Sequence, residues 1–258
     1  MFRQRRRILS QNFLYNRTLV SKLIRNSSIG KNDIVLEIGP GTGIITRELL
    51  TRSRNVIAIE IDPHLYKFLK KQFSRTSNLQ LICSDFLRYE LPDCQYKVFA
   101  NIPFSIEGKI IRKLLNATNP PEDCYLVMRE DLAKRLSGFR QECQFSIIYK
   151  PWFTFEIVHY FKGYDFVPHT KTKCALLHFT KREIPLIRKE DKKRYIHFVC
   201  MGFNGGKRLQ HNLKNFLTHE QFRRLSKEYK FIIRSRPSDL TLEQWIGMFD
   251  YLIRIGKI

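Results

Sequence analysis

The chain is short of acidic side chains: 24 Asp and Glu stand against 46 Lys and Arg in 258 residues, a formal charge of +22. That surplus costs self-repulsion in a folded state and points to a polyanionic partner, nucleic acid ahead of an acidic membrane surface. Long apolar runs are missing as well. No stretch approaches the roughly 18 consecutive apolar residues of a membrane span, and the basic start is followed by no apolar signal core. These absences predict a soluble, cytoplasmic protein. The six cysteines, at 83, 94, 124, 143, 174 and 200, form no C-x-x-C pair, which excludes the usual zinc and dithiol signatures. Reduced, mostly buried thiols are expected. The seven histidines, at 64, 159, 169, 178, 197, 211 and 219, show no metal-ligand spacing, so no metal site and no catalytic histidine are expected. Internal repeats are lacking too.

What is present is enough for a core. Apolar residues make up 43% and aromatic residues 13% of the chain, which sets it apart from disordered basic tails. The length suits one large domain with a smaller appendage. Asn16 reads as the N-cap of a helix carrying Val20, Leu23 and Ile24. From Ile34 short apolar runs alternate with longer amphipathic stretches, the pattern of parallel strands joined by crossover helices. Strands are expected at 34–38, 55–61, 79–84, 96–101 and 124–128, and helices at 44–52, 64–73, 105–116 and 130–137. After Pro151 a period of two through Phe153, Phe155 and Ile157, then an apolar run from Cys174 to Thr180, predict an antiparallel edge. Beyond Lys181 the pattern is helical, at 195–203, 207–217, 219–229 and 242–255, with capping boxes at Thr218/Gln221 and Thr241/Gln244. Residues 181–258 carry 18 bases and 8 acids, a denser positive charge than the rest of the chain. The expected division is 1–182, an α/β domain with a basic N-terminal arm, and 183–258, a basic helical domain.

Ile34–Ile38 runs directly into Gly39-Pro40-Gly41-Thr42-Gly43. A glycine turn between strand and helix lets the backbone approach a ligand without side-chain obstruction, although alone it is also an ordinary structural turn. Its G-x-G-x-G spacing with Glu37 upstream differs from the dinucleotide G-x-G-x-x-G and lacks the lysine of a phosphate loop, which weakens nicotinamide and triphosphate readings. Glu60 closes the second strand, where a carboxylate can accept from both hydroxyls of an adenosine ribose. Asp85 ends the third strand, suited to an exocyclic adenine amine, with Phe86 available as apolar cover. Strand ends of this kind converge on the crevice where open α/β sheets bind ligands.

Asn101-Ile102-Pro103-Phe104 follows the fourth strand and supplies an amide, a rigid turn and an aromatic face within four residues. Adenine N6 is a poor nucleophile because its lone pair is delocalised into the ring. The Asn101 side-chain carbonyl and the Ile102 backbone carbonyl can accept its two protons and favour the tetrahedral form that attacks. Stacking on Phe104, worth roughly 1–3 kcal/mol, offsets much of the cost of extruding a base.

These strings, with Gln11-Asn12-Phe13-Leu14, Glu60-Ile61-Asp62 and Ser84-Asp85-Phe86, resemble the ribosomal RNA adenine N6-dimethyltransferase family. Ala133-Lys134-Arg135-Leu136 and Leu242-Glu243-Gln244-Trp245 are most similar to its Erm branch, the macrolide-resistance methyltransferases of 23S ribosomal RNA. The resemblance implies an α/β fold: a Rossmann-like S-adenosylmethionine-dependent methyltransferase sheet, mostly parallel with one antiparallel edge strand, and a small all-α C-terminal domain. It implies S-adenosyl-L-methionine as cofactor, held by Asn12, Leu14, Gly39, Gly41, Glu60, Ile61, Asp85, Phe86 and Asn101. Catalysis would fall to Asn101, Ile102, Pro103, Phe104 and Phe166, with Phe104 and Phe166 sandwiching the target adenine. Where the family commonly has Phe-x-Pro-x-Pro-x-Val-x-Ser, this chain keeps Phe166 and Pro168 but lacks the second proline, the valine and the serine. The implied partner is 23S ribosomal RNA and the implied state a monomer, without membrane or metal; the implied outcome is macrolide, lincosamide and streptogramin B resistance.

Arg3, Arg5, Arg6, Arg7, Arg112, Lys113, Lys134, Arg135 and Arg140 flank the motifs and are candidates for phosphate contacts, or form an ordinary solvated basic face. Three other readings stay open. One is dimethylation of small-subunit RNA in ribosome biogenesis. Another is a catalytically silent RNA-binding assembly protein of the same fold. The third is a DNA adenine methyltransferase, which would prefer proline where Ile102 stands.

Overall fold

A computed structural model describes residues 12–206 and 208–258; the expected contacts of Arg3, Arg5, Arg6 and Arg7, Gln11 and the helix start at Lys207 lie outside that range. The strands are β1 (Phe13–Leu14), β2 (Ile34–Ile38), β3 (Asn55–Glu60), β4 (Leu79–Cys83), β5 (Lys97–Asn101), β6 (Asp123–Arg129), β7 (Phe153–Phe161), β8 (Phe166–Val167) and β9 (Cys174–Lys181). Among the described residues they form a seven-stranded sheet of order β4-β3-β2-β5-β6-β9-β7 and a two-stranded β1–β8 ribbon. The pairs β4–β3, β3–β2, β2–β5 and β5–β6 are parallel, and β6–β9 is antiparallel. The central strands β2, β3, β5 and β6 are buried nearly end to end, as expected of strands covered on both faces. The expected antiparallel edge is present: β9 runs antiparallel to β6, and β7 takes the outermost position beside it.

Crossover helices α1 (Arg17–Arg25), α2 (Ile44–Arg52), α3 (Pro63–Gln72), α4 (Glu107–Leu115) and α5 (Glu130–Ser137) fall within two residues of the sequence pattern where it placed a helix. Asn16 caps α1 by accepting from the Leu19 N–H at 3.0 Å. A further helix, α6 (Gln144–Tyr149), was not foreseen. Its capping box runs through Cys143 and Ser146, and cysteine is not among the side chains that mark an N-cap. The C-terminal helices are α7 (Lys192–Phe203), α8 (Leu209–Asn212), α9 (His219–Glu228) and α10 (Leu242–Arg254). Both foreseen capping boxes form, but α8 is far shorter than the pattern over 207–217 suggested. No described helix is long and apolar enough to cross a membrane.

Packing divides the chain into two units, one made of the residues up to Ala133 with Glu156–Lys181, the other of Lys134–Phe155 with Arg182–Ile258. The sequence reading divides the chain once, at 182, whereas the packing units change at 133/134, 155/156 and 181/182. Residues 134–155 group with the helices because the Tyr195 hydroxyl donates to the Ile147 carbonyl at 3.0 Å and Trp152 meets the Tyr195 ring edge-on at 5.8 Å. Cysteine burial was overestimated. Cys124 and Cys174 are buried, but Cys83 and Cys94 are exposed and Cys143 and Cys200 half-buried; Cys83 ends the edge strand β4, which is open along one side.

Candidate active site

The carboxyl ends of β2, β3, β4 and β5 border a cavity of about 250 Å³ within the sheet-bearing unit. Its wall contains Asn12, Gly39, Gly41, Glu60, Ile61, Asp85, Asn101, Ile102, Pro103 and Phe104, together with Phe13, Leu87, Ser105 and Ile106. Residues from Gly39 to Ile106 meet because parallel strands all end on the same side, and the β1 segment adds Asn12 and Phe13.

The glycine turn is built on left-handed backbone. Gly39, Gly41 and Gly43 have φ of +66°, +60° and +81°, a region that side chains with a Cβ rarely enter. A Cβ at Gly41 would lie 2.6 Å from the Phe13 ring, whereas one at Gly39 would meet nothing within 4 Å. Gly41 is thus required by packing, and Gly39 faces space that a ligand can fill.

Glu60, 2% exposed, ties the second strand end to this turn. Its Oε2 accepts from the Gly41 N–H at 3.0 Å and its Oε1 from the Asp62 N–H at 2.9 Å. Burial pushes its pKa up, while the N–H groups of Asp62 and Gly41 pull it down. Asp85 accepts from the Leu87 N–H at 2.8 Å through Oδ1, a turn that brings Leu87 to the cavity wall.

Asn101 is the most informative side chain. Its Nδ2 donates to the Asn12 carbonyl at 2.7 Å, which fixes the amide's orientation. Its Oδ1 is buried with no hydrogen-bond partner. Buried polar atoms are nearly always satisfied, and an orphaned acceptor costs about 1–3 kcal/mol. At a cavity wall it is able to accept from an N–H donor. Phe104 stands beside it, half-buried against the core.

The structure also separates residues that the sequence placed together. Leu14 is buried in the core and Phe86 is 5% exposed, and neither is part of the cavity wall. Phe166 is only 1% exposed and meets Phe161 edge-on at 5.6 Å. The reason is strand alternation: β1 and β8 pair with Leu14 opposite Phe166 and Phe13 opposite Val167, so Leu14 and Phe166 turn inward while Val167 is 45% exposed. Lys113 is not placed for a phosphate contact, because its Nζ donates to the Leu87 carbonyl at 3.0 Å and to that of Tyr89. It braces the loop after β4, and burial lowers its pKa. Arg112, Arg135 and Arg140 are exposed. Phe13, Leu87, Ser105 and Ile106 were missed; only Phe13 carried a signal, its alternation with Leu14.

The family model described as ribosomal RNA adenine dimethylase matches residues 2–254. The chain belongs to that family. It is 31% identical to the ribosomal RNA small subunit methyltransferase A of Nostoc sp. over 96% of this chain and 97% of the relative. It is 27% identical to an rRNA adenine N-6-methyltransferase of Bacteroides fragilis over 96% of this chain and 94% of the relative. Among solved structures, the 23S rRNA methyltransferase ErmE is similar with a TM-score of 0.87 and 27% identity, covering 94% of this chain and 100% of that one. A dimethyladenosine transferase from Plasmodium falciparum shares the fold at a TM-score of 0.77 and 21% identity, covering 95% of this chain and 98% of that one. The protein is therefore an rRNA adenine methyltransferase, and its cofactor is S-adenosylmethionine. The open space at Gly39 and the orphaned Asn101 Oδ1 fit a donor and an amine acceptor in one cavity.

Proposed function

We propose that the chain methylates N6 of a specific adenine in 23S ribosomal RNA, in the cytoplasm, and thereby confers resistance to macrolide, lincosamide and streptogramin B antibiotics. The observation that carries the chemistry is the buried, unpartnered Oδ1 of Asn101 at the cavity wall beside Phe104. When bound, S-adenosylmethionine supplies an electrophilic sulfonium methyl group. Glu60 would accept from its ribose hydroxyls and Asp85 from its adenine amine, with Asn12, Gly39, Gly41 and Ile61 completing the wall. Asn101 Oδ1 and the Ile102 carbonyl accept the N6 protons of the target base, which localises the nitrogen lone pair for in-line attack. Phe104 stacks on the extruded ring and Pro103 keeps the turn rigid. No strong base is needed: the N6–C bond would form as the donor's S–C bond breaks, and the N6 proton, made acidic by the positive charge on nitrogen, would pass to water, so the side chains contribute proximity, orientation and fixed dipoles.

The large-subunit reading is supported by the likeness to ErmE along 94% of this chain and by the strings at 133–136 and 242–245. The 31% identity to a small subunit methyltransferase favours the alternative, dimethylation of small-subunit RNA. A silent RNA-binding role is disfavoured because Gly39, Glu60, Asp85, Asn101 and Phe104 all line one cavity. Labelled donor offered with protein-free 23S RNA and, separately, with small-subunit particles tests the choice. Transfer to the naked 23S RNA is expected; transfer only to the small-subunit particle would reject the large-subunit assignment.

A further inference from the structure

Helix α5 ends in a turn that sets an exposed aromatic ring beside two cations. Gly138 N–H donates to the Arg135 carbonyl at 3.3 Å and Phe139 N–H to the Lys134 carbonyl at 2.9 Å, the crossed bonds of a Schellman end. Both neighbours of Phe139 are left-handed, Gly138 and Arg140 each at φ +67°; glycine adopts this freely, arginine only at a cost. A Cβ at Gly138 would meet the Glu142 carboxylate and the Lys150 ammonium, themselves an ion pair. A hydrophobic residue at this position of a Schellman end usually folds back on the helix. Phe139 is instead 48% exposed. The Lys134 ammonium stands 5.6 Å and the Arg140 guanidinium 5.5 Å from its ring centroid.

An exposed aromatic ring with cations beside it has the chemistry of a single-stranded nucleic acid contact: a base can stack on the ring, and the flanking phosphates meet the charges. Residues 134–140 contain three cations, and the nearby Glu142 carboxylate is paired with the Lys150 ammonium, which suits the patch to a polyanion. We propose that Phe139, with Lys134 and Arg140, is a stacking platform for an unpaired nucleotide of the RNA substrate other than the target adenine. This rests on the reading of RNA as substrate and adds to it a contact that binds without touching the reacting atoms.

Phe139→Trp in the full chain provides the test. The native tryptophans, Trp152 and Trp245, are 9% and 0% exposed, so the new indole is the solvent-facing reporter, and the parent protein supplies the background. A mixed-sequence single-stranded RNA oligonucleotide should quench its emission through stacking, whereas heparin, a polyanion without bases, should not. Phe139→Ala should weaken binding to ribosomal RNA about tenfold, with donor affinity and the turnover rate at saturating RNA unchanged. RNA binding that leaves the indole emission unaltered would overturn the platform. Equal quenching by heparin would do so too, as would a blue shift on phosphatidylglycerol vesicles greater than any response to RNA. Because quenching reads binding and requires no transfer, it succeeds or fails independently of the methyltransferase assay.

Discussion

Replacing Asn101 by alanine separates the chemical role of the amide from its structural one. The side chain makes one hydrogen bond within the protein, from Nδ2 to the Asn12 carbonyl at 2.7 Å, and keeps Oδ1 buried and unpaired. Losing the first leaves a carbonyl unsatisfied at about 1 kcal/mol, a melting shift of roughly 2–4 °C in a chain of this size. Losing the second removes a preorganised acceptor aimed at a nitrogen on which positive charge develops. By analogy with a deleted oxyanion-hole donor, that costs about 10²–10³ in turnover, or some 2.7–4 kcal/mol. The assay is single-turnover transfer of a tritiated methyl group with RNA in excess, alongside filter binding of the same RNA. Transfer should fall by at least two orders of magnitude while RNA affinity stays near the parent value. Asn101→Asp, which retains an acceptor, should transfer faster than the alanine variant. A near-parental rate for Asn101→Ala would refute the role assigned to the amide.

Three other expectations follow from the same site. Glu60→Gln loses charge from an acceptor that holds two backbone N–H groups; calorimetry should show donor affinity falling roughly tenfold to a hundredfold, from the 1.5–3 kcal/mol of a charged hydrogen bond, and a change below twofold would count against ribose binding there. Gly39→Ala and Gly41→Ala share the cost of a left-handed backbone, about 1–2 kcal/mol, but only the second drives a Cβ to 2.6 Å from Phe13. Gly41→Ala should therefore melt lower, and equal melting temperatures would show that Phe13 does not pack on the turn. Glu37 is fully buried, and burial raises its pKa to about 8. The folded state then holds a proton that the unfolded chain releases above its ordinary value of 4.5, so this group's stabilisation is complete below that pH and is lost as pH rises towards 8. Glu37→Gln should gain on the parent by up to about 1.4 kcal/mol per pH unit across that window, measured by urea denaturation; a constant difference between pH 5 and 8 would place the carboxyl in contact with water.

The parallel half of the sheet was legible because its strands are short, mostly apolar runs, such as Ile34–Ile38 and Asn55–Glu60, separated by helices with a clear period. The strand ends were legible for a related reason: once the sheet is parallel, Gly39, Glu60, Asp85 and Asn101 must share one side. Single-residue burial was not. Phe166 and Phe86 read as binding aromatics, yet Phe166 is turned inward by the β1–β8 register and Phe86 lies beneath the Lys113 ammonium, 5.3 Å from its ring. Two-residue strands and the sulfur cap of α6 leave no periodic signal. Lys113 looked like a surface base because a sequence does not reveal that two loop carbonyls come within reach of its Nζ.

The most direct measurement is mass spectrometry of nucleosides from 23S RNA incubated with the protein and a donor carrying a deuterated methyl group. The cavity built around Asn101, Glu60 and Phe104 predicts label on N6 of one adenosine, mapped to a single position and absent with Asn101→Ala. Label on another base, on a ring nitrogen of adenine, or on no nucleoside of that RNA would contradict it.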